Sequence, residues 1–108
     1  MSRRSPPAPR GVAPEAWRRL TEFQRRVYAA IVRIPPGETR SYQWVARGIG
    51  RPRAARAVGN ALRHNPFAPR VPCHRVVRAD GSLGGYAGGP ARKRARLRRE
   101  GWAPRAPG

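Results

Sequence analysis

The stretch VPCHRVV, residues 71 to 77, holds the only cysteine of the chain, with a histidine and an arginine directly after it and apolar residues on both sides. A cysteine attacks carbon as thiolate, so it needs a base or a positive field beside it and access for the substrate. His74 and Arg75 offer both kinds of help. Adjacency does not prove a hydrogen bond, because neighbouring side chains on an extended segment point to opposite faces. A lone cysteine is also a common small core residue. Local chemistry leaves Cys73 as either a nucleophile or a buried hydrophobe. One cysteine forms no internal disulfide, and with two histidines it falls short of a closed zinc site, so no metal is expected.

The segments around this stretch must position it. LTEFQRRVYAAIVRIPPGE places Phe23, Val27, Ala30, Ile31 and Ile34 at helical spacing, with Thr21 as N-cap and PPG stopping the helix after Ile34. TRSYQWVARGIG comes next as a short helix capped by Thr39 or Ser41 and ended near Gly48 to Gly50. Pro52 sits where a first-turn proline belongs and opens a third helix through RAARAVGNALRHN, ending before Pro66. Two short helices joined by a glycine-containing turn describe a helix-turn-helix, whose second helix is rich in arginine and small residues. Such a pair reads a DNA groove or serves only as scaffold. After it come a short β-type run at Val76 and Val77, a glycine-rich loop, and a basic helix from near Pro90 to Gly101. The expected fold is a mainly α, small single domain, winged-helix-like. It comprises a basic, Pro-rich, flexible lead-in over residues 1–16, the domain over 17–102 and a loose end over 103–108.

Charge narrows the partner. Lys and Arg number 24 against 5 acids, a formal net charge of +19, and Lys93 is the only lysine. A compositional bias explains arginine over lysine but not the scarcity of acids. Such a field attracts nucleic acid ahead of an anionic membrane, and binding through it weakens steeply with salt. No signal-peptide-like stretch comes after the early arginines, and VYAAIV is far too short to span a bilayer. A soluble, cytoplasmic, DNA-associated monomer with a reduced thiol is the expectation.

PCHRVV, with GGYAGG, a lysine and EG after it and SYQWVA and ARAVGNALRHNP before it, closely resembles the C-terminal domain of the O6-alkylguanine-DNA alkyltransferases, also called methylated-DNA–protein-cysteine methyltransferases. The resemblance runs from about Phe23 to Gly101. It implies DNA repair by transfer of an alkyl group from O6 of guanine to Cys73, once per protein molecule and without a cofactor. Cys73 then pairs through a water with His74, whose ring is held by Glu100 of the last helix, an arrangement of nucleophile, base and orienter. Without the resemblance, Glu100 reads as an intrahelical partner of Arg96.

Repair of a base edge requires taking the base out of the stack. By the resemblance, Arg56 is the finger entering the duplex from the minor groove, and Tyr42 helps rotate the target nucleotide. Asn65 is the hinge between the recognition helix and the active-site segment. Tyr86 and the backbone N–H of Ala87 belong to a lid over the flipped guanine. The family often has serine where Ala87 stands, so a hydroxyl is lost there while the backbone donor survives. Main-chain groups of Cys73 and Val76 face the guanine edge, and Arg75 and Lys93 complete the substrate- and DNA-binding set. The implied partner is double-stranded DNA containing O6-alkylguanine.

The family usually carries a further N-terminal domain, where this chain has a short basic lead-in. In that it resembles the alkyltransferase-like proteins, which bind such lesions without repairing them and hand them to nucleotide excision repair proteins. Those typically have tryptophan in the place of Cys73, so the full PCHRV set favours transfer. A non-enzymatic DNA-binding module with a structural cysteine is the third reading.

Overall fold

The computed structural model describes residues 5–67, 70–79 and 89–102. Five helices and one two-stranded sheet run in the order α1 (Pro14–Arg18), α2 (Glu22–Ile31), β1 (Arg40–Ser41), α3 (Tyr42–Gly48), α4 (Ala55–Arg63), β2 (Val76–Val77) and α5 (Pro90–Arg99), with a 3₁₀ turn over Cys73–Arg75 leading into β2. The mainly helical expectation holds.

Helix α2 starts with a capping box: the Thr21 hydroxyl accepts from Gln24 N, and the Gln24 side chain accepts from Thr21 N. It ends at Ile31, three residues sooner than the periodicity predicts. Ahead of Pro35 and Pro36, the last amides tighten onto carbonyls three residues back, Arg33 N to Ala30 O and Ile34 N to Ile31 O. Ile34 is buried all the same, so its periodicity marks the core rather than the helix.

Helices α3 and α4 pack on each other and both pack on α2, forming the helix-turn-helix. Ser41, not Thr39, caps α3, its hydroxyl accepting from Trp44 N at 2.9 Å. Pro52 does not open α4. Arg51 N donates to Ala46 O and Ala54 N to Arg51 O, which makes Pro52 part of the connecting turn. The Gln43 side chain donates to the Pro52 carbonyl at 2.7 Å and pins that turn, so the helix begins at Ala55. The core between α2, α3 and α4 is Val27, Tyr28, Ile31, Val45, Val58, Ala61 and Leu62. The Tyr28 hydroxyl donates to Ala61 O at 2.6 Å, tying the last turn of α4 to α2.

Val12 is buried, and α1 carries the buried Trp17, whose Nε1 donates to Pro6 O at 2.9 Å. The Trp17, Tyr28 and Phe67 rings lie with centroids 6.2 to 6.4 Å apart, an aromatic cluster under α4. Proline and arginine content hides this, because a single buried tryptophan carries no periodicity.

Strands β1 and β2 pair in parallel, Arg40 with Val76 and Ser41 with Val77. This bridge fastens the start of α3 to the segment carrying Cys73. Beside it, Gly37 adopts φ +87°, and a Cβ built there would lie 2.7 Å from the Glu100 carbonyl oxygen. Only glycine lets the turn after α2 approach the end of α5 this closely.

Candidate active site and nucleic-acid interface

Two elements bring Cys73, His74 and Glu100 together. The 3₁₀ turn presents Cys73 and His74, buried to 3% and 1% exposure. The end of α5 brings Glu100, whose Oε2 lies 3.0 Å from His74 Nε2. Because the carboxylate can only accept, Nε2 carries the proton and the neutral ring offers its lone pair at Nδ1. That Nδ1 is buried, with no hydrogen-bond partner among the described residues. Glu100 is therefore the partner of His74, not of Arg96.

Burial pushes the Cys73 thiol above its usual pKa, while a hydrogen bond from the Asn65 side chain and the charges of Lys93 and Arg96 favour the thiolate. Burial lowers the His74 pKa; Glu100 opposes this, and Arg75 and Arg96 add to it. At neutral pH the ring is uncharged and able to accept a proton. Burial alone would raise the Glu100 carboxyl, but hydrogen bonds from Arg75 and His74, together with their charges, bring it to about 2.

Asn65 stands between α4 and the cysteine segment. Its Nδ2 donates to Val71 O at 2.7 Å, and its Oδ1 accepts from Phe67 N at 2.9 Å. Lys93 is fully buried, donating from Nζ to Val76 O at 2.6 Å and lying 5.8 Å from the centroid of the Tyr42 ring. Burial draws its ammonium down to about 8, although the Cys73 charge acts the other way. Tyr42, at the first position of α3, also lies against α4, where a Cβ at Gly59 would meet its ring at 3.7 Å. Arg56 is exposed one helical turn before Gly59, on the same face of α4.

Arg75 lies against Glu100: its Nε donates to Glu100 Oε1 at 2.9 Å, one terminal nitrogen to Glu100 Oε2 and the other to Ile34 O at 2.8 Å. In a 3₁₀ turn successive side chains diverge by about 120° rather than 180°, so His74 and Arg75 reach the same carboxylate. The Val76 carbonyl is engaged by Lys93, and its side chain is buried in β2. Tyr86 and Ala87 lie outside the described residues. Arg96, whose Nε is buried without a hydrogen-bond partner among the described residues, sends its charge towards both Cys73 and His74. Nothing in the sequence distinguishes Arg96 from the other arginines of α5. Among the described residues no group of His, Cys, Asp and Glu could hold a metal ion, and no helix is long and apolar enough to cross a membrane.

A helix-turn-helix joined to a buried Cys73 and His74 with Glu100 against the ring defines a class, and the known proteins give it a name. The family described as 6-O-methylguanine DNA methyltransferase, DNA binding domain, matches residues 22–102, and the chain belongs to that family. The methylated-DNA–protein-cysteine methyltransferase of Mycobacterium tuberculosis is 60% identical over 82 residues, 76% of this chain and 50% of the relative. The crystal structure of Mycobacterium tuberculosis OGT in complex with DNA superposes with a TM-score of 0.74 at 60% identity, covering 76% of this chain and 51% of that one. S. pombe Atl1, in complex with damaged DNA containing O6-carboxymethylguanine, gives a TM-score of 0.69 at 38% identity, covering 77% of this chain and 79% of that one. The chain spans about half the length of the mycobacterial methyltransferases it matches.

Proposed function

We propose that this chain repairs O6-alkylguanine in double-stranded DNA by transferring the alkyl group to Cys73. The observation that carries the reading is the buried Cys73 beside a His74 whose Nε2 is engaged by an ionised Glu100, on a segment fastened to the helix-turn-helix.

Helix α4 enters the groove, and its exposed Arg56 occupies the space left when the damaged nucleotide turns out of the stack. Tyr42, on the same side of the molecule, guides that nucleotide towards Cys73. Through an intervening water, His74 takes the thiol proton at Nδ1, and the resulting imidazolium is stabilised by Glu100. The thiolate then attacks the alkyl carbon: a sulfur–carbon bond forms, the carbon–O6 bond breaks, and the electron pair leaves on guanine. Lys93, held between Val76 O and the Tyr42 ring, places a positive charge near both the thiolate and the departing base. The product thioether is chemically stable, so each molecule acts once. Neither a metal nor a cofactor takes part in this scheme.

Intact-protein and peptide mass spectrometry after incubation with a duplex carrying one O6-methylguanine tests the reading. The expected result is one methyl group on the Cys73 peptide, none with unmodified duplex, and none in Cys73→Ala, which still binds the lesion. Preferential binding to the methylated duplex with no mass gain would instead support the lesion-sensor reading, with nucleotide excision repair proteins as the next partners. Equal binding to both duplexes without a mass gain would leave a DNA-binding module.

A further inference from the structure

The transfer scheme gives Arg75 no part. Its guanidinium is almost wholly enclosed, and all three nitrogens are engaged: Nε on Glu100 Oε1, one terminal nitrogen on Glu100 Oε2, and the other on Ile34 O. A guanidinium laid side-on against both oxygens fixes the plane of a carboxylate as well as its place. The third bond anchors that grip to the turn after α2.

We propose that Arg75 is a positioning residue for the Cys73–His74 pair, holding the Glu100 carboxylate rigidly against His74 while dividing that carboxylate's charge between guanidinium and imidazole. The geometry carries both halves. Glu100 Oε2 accepts from His74 Nε2 and Arg75 at once, so it stabilises a charged imidazole less than an undivided carboxylate would. Glu100 Oε1 accepts from Arg75 Nε, so loss of Arg75 removes the fork and leaves the carboxylate free to turn about its bond to His74. The charged groups acting on His74 are Glu100 and Arg96 from α5 and Arg75 from its own turn. Two of these are cations whose charge opposes protonation of the ring. Arg75 thus keeps the orienting carboxylate in place without letting it convert His74 into an imidazolium that could no longer accept the thiol proton.

This inference deepens the transfer reading and depends on it for one of its two readouts. The first readout needs no DNA: the imidazole nitrogens of the chain's two histidines are titrated by NMR in wild type, Arg75→Gln and Arg75→Lys, with exposed His64 as internal reference. In Arg75→Gln the His74 midpoint moves to higher pH, and Arg75→Lys, which keeps the charge, titrates close to wild type. The second readout is the single-turnover rate of methyl transfer against pH. The acid limb in Arg75→Gln moves up with the His74 midpoint, and the rate at neutral pH falls by on the order of 10- to 100-fold. Arg75→Lys restores the limb but recovers the rate only in part, because a lysine cannot grip both carboxylate oxygens and Ile34 O together. A His74 midpoint in Arg75→Gln that stays put or falls would overturn the proposal, as would Arg75→Lys titrating like Arg75→Gln. If Arg75→Gln does not fold, the lysine variant decides: a wild-type midpoint with a reduced rate is expected, and a wild-type rate would overturn the role of the fork. A wild-type protein that transfers no methyl group would remove the reaction, while the NMR titration would still decide on Arg75.

Discussion

Glu100 is one of only five acids among 24 bases, and its carboxylate ends on a histidine and an arginine rather than in solvent. Its pKa of about 2 in the fold lies below the ordinary 4.5. Between these values the unfolded chain binds the proton and the folded one does not, so stability present above pH 4.5 is lost as pH falls towards 2. Wild type should therefore lose urea resistance across this window more steeply than Glu100→Gln; parallel curves would mean that the carboxylate's partners contribute nothing to folding. That Glu100 reaches His74 was legible only through the family resemblance carried by PCHRVV and EG, since local spacing alone pairs Glu100 with Arg96. The place of Arg75 was not legible, because its direction depends on a 3₁₀ turn that no periodicity announces. Arg96 was hidden for a similar reason: only packing separates it from the solvated arginines beside it.

At the scale of elements, capping chemistry placed the starts of α2 and α3 well and the late glycines placed the end of α5, since Thr21, Ser41 and Gly101 act locally, whereas α2 ended three residues short of the place the paired prolines suggested. The start of α4 was misplaced because Pro52 suits a turn as well as a helix entrance, and a long-range bond from Gln43 decides between them. The β1–β2 bridge could not be foreseen, as two-residue strands have no pattern to read. For α4 itself, a finger and a phosphate contact make different demands on Arg56. As a finger, Arg56→Ala should lose preference for the lesion-bearing duplex over the unmodified one while keeping the salt dependence of binding. A uniform loss of affinity with a log–log salt slope shallower by about one would assign the residue to the phosphate backbone instead. Fluorescence anisotropy on both duplexes at several salt concentrations separates the two.

Across the whole molecule, the interior is shared among few side chains, and a chain of this size buries little surface to spare. Trp17 matters out of proportion to its position ahead of the family-matched region at 22–102. Trp17→Ala should cost about 3–5 kcal/mol, a large part of the roughly 5–15 kcal/mol typical of a domain. Equilibrium urea unfolding measures it, and a loss below about 1 kcal/mol would show that the aromatic cluster is dispensable. Compactness also joins distant parts of the chain, and at Gly37 that closeness reaches into inheritance. It lies in a turn, far in sequence from the cysteine, where a tally of tolerated codons would be expected to show freedom. Yet any side chain there would combine an unfavourable left-handed backbone with a collision against the carbonyl of Glu100. In a saturation library selected for survival of alkylation damage, this codon should stay nearly as invariant as that of Cys73, so a loop glycine would carry the genetic signature of an active-site residue.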